Sequence, residues 1–171
     1  MMNKNTKHTG YTLIELLLYV GLVGMLLGAA TMFFGVATEA RIKNQTISEV
    51  NEQGAFVTDF IARTVRGASS ISAPVAGSSG SQLTLVVPTA ALSPTIFNVT
   101  GGVLQVKEGT AAAVALTNSK VQVTSFTVTN VTRSGTSGLI RVSITLARIN
   151  NAARNEYDYT RTFTTSVGVR P

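Results

Sequence analysis

The acid with the most chemical leverage in this sequence is Glu15, because Leu16 to Val36 directly behind it is an uncharged, apolar run. A carboxylate in such a span costs about 2 to 3 kcal/mol at a bilayer centre and less near its edge, and acids kept there usually serve a function. Two readings follow from the residues alone. Glu15 either lies at a membrane interface with its head turned to water, or is compensated by a cation that another molecule brings. The remaining titratable groups offer little. His8 is the one histidine, and beyond Gly67 the acids are Glu108, Glu156 and Asp158. Glu156 and Asp158 fall at marginal or opposite positions around one strand start, a poor basis for paired acid and base catalysis. There is no cysteine for a disulfide framework, a thiolate zinc site or a sulfur nucleophile. Calcium would need a cluster of oxygen ligands that these few acids do not supply. The expectation is a chain that is not an enzyme and uses no cofactor and no metal.

A length of 171 residues suits one sizeable core plus any leader or anchor. The composition is 44% hydrophobic and only 13% charged, and the apolar excess is local. Leu16 through Thr38 carries no charge, and at about 1.5 Å per residue it reaches roughly 35 Å, enough to cross a bilayer core. Lys4 and Lys7 before the run and Arg41 and Lys43 after it leave its orientation open. After Glu39 the pattern becomes amphipathic: Ile47, Val50, Gly54, Val57 and Ile61 recur at helical spacing, widened by Phe56, Phe60 and Val65. No proline occurs from Met1 to Ala73, so one helix from about Thr12 to Arg66 is expected.

Gly67 to Ser81, rich in Gly, Ser and Ala, reads as a connecting loop. From there the period approaches two. Leu83, Leu85 and Val87 alternate, as do Ile140, Val142, Ile144 and Leu146. Tyr157, Tyr159, Phe163, Val167 and Val169 share one parity. Val121 and Val123 are followed by Phe126 and Val128, a change of parity that predicts a bulge near Thr124 and Ser125. Turns are expected at 100–102, 134–138 and 150–156. A long helix followed by strands is the order of an α+β fold, with the helix covering an antiparallel sheet.

The formal charge of +6 invites a nucleic-acid reading. Without Lys4 and Lys7, however, twelve bases face eight acids, and Arg133, Arg141, Arg148, Arg154, Arg161 and Arg170 are scattered along the chain. A weak, salt-sensitive attraction to phosphate stays open beside an ordinary solvated surface.

The stretch Lys7-His8-Thr9-Gly10-Tyr11-Thr12-Leu13-Ile14-Glu15, running into Leu16-Leu17-Leu18, resembles the type IV pilin and pseudopilin family. The shared signature is a short basic leader, a glycine, an aromatic, Thr-Leu-x-Glu and an apolar helix, and it covers about residues 4–36. The resemblance implies cleavage after Gly10 by a prepilin peptidase, N-methylation of Tyr11, and pairing of Glu15 with the terminal amine of a neighbouring subunit. It implies a leader at 1–10, a transmembrane and filament-core helix at 11–38, its amphipathic continuation at 39–66 and a β-rich head at 67–171. The family's helix proline has no counterpart here, and Gly21, Gly24, Gly28 and Gly35 would supply the flexibility instead. Gly24 and Gly28 also have the spacing that lets helices approach closely. The last strands look like the closing hairpin of minor pilins and J-type pseudopilins.

The implied partners are the peptidase and methyltransferase, other pilin-like subunits, the membrane and an inner-membrane assembly platform. The implied place is the bacterial cytoplasmic membrane, crossed once, with the head outside the cytoplasm. A pilus, a type II secretion system and a competence or DNA-uptake machine all fit that pattern. The rival reading is a secreted or anchored β-rich binding module with an ordinary signal peptide cut near Val36-Ala37. Against it, Glu15 interrupts the start of the apolar region and helical periodicity resumes after it.

Overall fold

The structure, a computed structural model, describes residues 12–170. The chain divides into two compact units, Met1–Arg41 and Ile42–Pro171, and one helix, α1 (Leu13–Arg66), begins in the first and ends in the second. Thr12 supplies its start, because the Glu15 amide donates to Thr12 Oγ1 at 3.3 Å and satisfies one of the orphan donors of the first turn. Arg63 and Arg66 occupy the last turn, where cations complement the carbonyl end of the helix, and Gly67 follows.

The buried residues of α1 are Thr46, Val50, Gly54, Val57, Ile61, Ala62 and Val65, a stripe of one helical face. Three members of the expected stripe depart from it, Phe60 being partly buried against the core. Phe56 is half exposed, since two residues beyond Gly54 is about 200° around the helix, and Ile47 is only partly covered. Phe56 stacks instead against Phe60, at 6.1 Å between ring centroids.

Nine strands follow: β1 (Ser70–Ala73), β2 (Ser79–Gly80), β3 (Gln82–Val86), β4 (Thr95–Thr100), β5 (Val103–Glu108), β6 (Val114–Ala115), β7 (Val121–Asn130), β8 (Leu139–Arg148) and β9 (Thr160–Gly168). They form two sheets, ordered β1-β3-β4-β5-β6 and β2-β7-β8-β9, with every pairing antiparallel. The fold is α+β. Residues 67–81, expected to be a loop, contain β1 and β2: Ser-rich segments with weak intrinsic strand preference pair because β3 and β7 offer them an edge. The turn at 100–102 is a two-residue hairpin whose Gly101 and Gly102 have φ of 59° and 78°, the left-handed backbone that this tight connection requires. The expected bulge is present, as the β7 to β8 register shifts between Val123 and Ser125.

A single core joins the buried stripe of α1 to both sheets. Ile140, Val142, Ile144 and Leu146 of β8 are fully buried, each burial contributing about 1.5 to 3 kcal/mol. Phe60 meets Phe97 of β4 edge to face at 6.1 Å. Gly54 lets α1 approach β9, because a Cβ there would fall 2.2 Å from the Phe163 ring. Gly54→Val should therefore destabilise the head by about 1 to 3 kcal/mol through overpacking, more than the few tenths of a kcal/mol of helix propensity it recovers. Adding Phe163→Ala should return much of that loss; strictly additive urea midpoints in the double variant would contradict this contact.

Candidate functional site

Two sets of side chains stand out, one in each compact unit. In the first, the hydrophobic residues of the apolar half of α1 lie in the open: Leu13, Met25, Met32, Phe33 and Phe34 are more than two-thirds exposed. The most apolar 18-residue window has a mean hydropathy of 2.2 with none of it buried, so this helix is long and apolar enough to cross a membrane. Gly10 and Tyr11 lie outside the described residues.

Glu15 sits in the first turn, partly exposed. The Tyr19 hydroxyl donates to Glu15 Oε1 at 3.2 Å. That partner escaped the sequence reading, though i to i+4 spacing on a helix was a signal for it. Among the described residues no cation pairs with Glu15, and an ionised carboxylate accepts more bonds than Tyr19 supplies.

Gly24 and Gly28 both face open space, with nothing within 4 Å of where a Cβ would stand. Nothing in their own chain requires glycine there. At about 100° per residue, Gly21, Gly24, Gly28 and Gly35 share one face within an arc of about 60°, and Glu15 lies about 150° away. One neighbouring helix cannot use both features.

The second set clips the head to the amphipathic half of α1. Glu49 Oε2 accepts from Arg148 Nη1 of β8 at 2.6 Å, while Glu49 Oε1 accepts from Lys120 Nζ and Asn118 Nδ2, each at 3.2 Å. Glu49 and Arg148 side chains are 21% and 19% exposed, so this pair is far better shielded than Lys120, at 61%. The Arg148 guanidinium also stacks over Tyr157, 5.6 Å from the ring centroid. Lys43 Nζ donates to the carbonyls of Asn155 and Asp158 at 3.2 and 2.6 Å, and Arg161 Nη1 to Asn51 Oδ1 at 2.7 Å. Residues far apart in sequence meet here, which no local pattern could announce. Of the paired acids considered from the sequence, Glu156 lies within a short 3-10 turn (Asn155–Tyr157) before β9 and Asp158 directly follows it. Arg154, donating to Glu156 at 2.8 Å, holds that carboxyl below its ordinary range. Among the described residues no group of three or more His, Asp or Glu side chains is placed to hold a metal ion.

No family model, curated protein or solved structure matches the chain. The geometry therefore carries the argument. In the head cluster both Glu49 carboxylate oxygens have internal partners and the group reads as a clasp, whereas the apolar helix with Glu15 presents uncovered surface.

Two outcomes test the clasp. Arg148→Met should lower head stability by about 1.5 to 3 kcal/mol by leaving the shielded Glu49 Oε2 without its partner, while Lys120→Met should cost under about 1 kcal/mol. Equal losses in urea denaturation would contradict the difference in shielding. Because the folded Glu156 pKa is depressed, its contribution to stability is present above the ordinary carboxyl pKa and is lost as pH falls through the lowered value. By NMR, Arg154→Gln should move the Glu156 titration midpoint upward; an unmoved midpoint would remove Arg154 as the cause.

Proposed function

We propose that this chain is a structural subunit of a type IV pilus-like filament, of the minor pilin or pseudopilin kind. One observation carries the reading: an apolar helical segment exposed throughout, bearing a single acid, Glu15, in its first turn. Such a segment has no stable place in water and needs a bilayer before assembly and other helices after it. The match of residues 4–36 to the prepilin pattern supplies the processing: prepilin peptidase cuts after Gly10 and the new terminus at Tyr11 is methylated. The subunit then crosses the cytoplasmic membrane once, with its head outside the cytoplasm, and an inner-membrane platform draws it into the filament.

In this account Glu15 answers the terminal amine of a neighbouring subunit. Tyr19 orients the carboxylate and leaves it able to accept that second partner. The glycine face of Gly24 and Gly28, turned about 150° from Glu15, packs against a different neighbour. A helix surrounded by other helices uses both sides; a lone anchor needs neither.

Intact mass and N-terminal sequencing of the membrane-extracted protein test the processing. The expected chain begins at Tyr11 with one added methyl group, and a chain beginning near Thr38 would instead establish an ordinary signal peptide. Glu15→Val should leave the head folded and the protein in the membrane while abolishing or crippling incorporation into filaments. Normal incorporation would refute the pairing role, and leave the cleavage result standing on its own.

A further inference from the structure

Exposed sheet edges invite foreign strands, and proteins blunt them with short strands, bulges, prolines or charges. Three edges of this head are blunted. β1 pairs with β3 through an irregular register and runs into Pro74, and β2 and β6 have only two residues each. β9 is different. It has nine residues, an unbroken register with β8 and no proline, and its one charge, Arg161, is turned toward Asn51 of α1.

The hydrogen-bond phase of β9 follows from its ends. Arg148 N–H donates to the Tyr159 carbonyl at 3.0 Å, and Val169 N–H to the Gly138 carbonyl at 2.8 Å. Alternation along an antiparallel ladder then points the amides and carbonyls of Thr160, Thr162, Thr164 and Ser166 away from β8. Among the described residues no other backbone group reaches them, and all four side chains are exposed.

Beside the far end of this edge lies a groove on the solvent face. Gly168 leaves a notch there, and Val131 and Leu139, 37% and 41% exposed, line it with Arg133. Arg141 stands two residues from Leu139, about 7 Å along β8 and opposite Ser166, and Arg170 follows two residues after Gly168, just past the end of β9. Arg133, Arg141 and Arg170 are exposed, and none has an ion pair among the described residues. These arginines are scattered in sequence, and the fold puts Arg133 in the lining of an apolar notch at the end of an open strand and Arg141 and Arg170 each two residues from a lining residue.

We propose that β9 and this groove form a docking site for an extended segment of a partner protein. The segment adds as a strand to β9, seats an apolar side chain in the Gly168 notch against Leu139 and Val131, and presents an adjacent carboxylate to the arginines. Main-chain bonds give such a site its affinity, and the notch and charges give it selectivity. Polyphosphate would use the arginines but neither the notch nor the strand edge. The surface belongs to the head and stands independently of the filament reading.

The test is fluorescence anisotropy of detergent-solubilised full-length protein with a synthetic peptide that alternates valine and threonine and ends in valine-aspartate. A single-stranded oligonucleotide serves as the competing probe. Thr164→Pro removes only an outward amide, so the β8 ladder persists. A Cβ at position 168 would stand at ordinary contact distances, 3.4 Å from the Gly138 carbonyl oxygen and 3.7 Å from Leu139 Cδ1, so Gly168→Val projects its methyl groups into the notch. Circular dichroism verifies that both variants keep the fold. Each, and Arg141→Glu, should weaken peptide binding by about tenfold or more. A peptide ending in lysine should bind Arg141→Glu better than the unaltered protein. Peptide binding that is absent, or indifferent to Thr164→Pro and Gly168→Val, overturns the proposal, as does preference for the oligonucleotide.

Discussion

None of the most apolar stretch of α1 is buried among the described residues, and the rest of the account depends on that constraint. Each large side chain there forgoes about 1.5 to 3 kcal/mol while it stays in water, and residues such as Met25, Phe33 and Leu17 stay uncovered. The amphipathic half has the opposite condition. Val50, Val57, Ile61 and Val65 are fully buried against the sheets, and its polar residues are engaged by Arg148, Lys120 and Arg161. One helix thus carries two unlike surfaces, one satisfied internally and one requiring an outside solvent or partner. Under the filament proposal Glu15 gains its meaning from that need, because a partner's cation would compensate an acid at the start of an apolar surface.

The head holds together without disulfides, since the chain has no cysteine. Long antiparallel ladders do that work, with β7, β8 and β9 in continuous register apart from one bulge. The Glu49 clasp pins the β8 end and the 118–120 loop to the helix through side chains from three segments. Its shielding matters more than its number of partners, because an exposed pair gains little from Coulomb attraction in water. Among the described residues Arg148 Nε is buried without a hydrogen-bond partner.

Features with a strong period were legible in the sequence. The helix was readable because nothing broke it from Thr12 to Arg66, and β8 because Ile140, Val142, Ile144 and Leu146 alternate without exception. Even the bulge of β7 was visible as a parity slip. β1 and β2 were not, because their serine and glycine residues carry no alternation and pair only where another strand already stands. The division into two sheets was equally hidden, being a property of strand order. Of the candidate site, Glu15 and the glycine spacing were plain, since both are local. Tyr19 was within reach by helical spacing, but Glu49 with Arg148, and the placing of Arg133, Arg141 and Arg170, depend on long-range register.

The central claim is that Glu15 exists to meet another chain. A cryo-electron microscopy reconstruction of the assembled polymer tests it directly. The account predicts a bundle of α1 helices with each Glu15 carboxylate within hydrogen-bond distance of the amine of a neighbouring subunit. A reconstruction in which Glu15 contacts only its own Tyr19, or in which the helices do not form the centre, would contradict it.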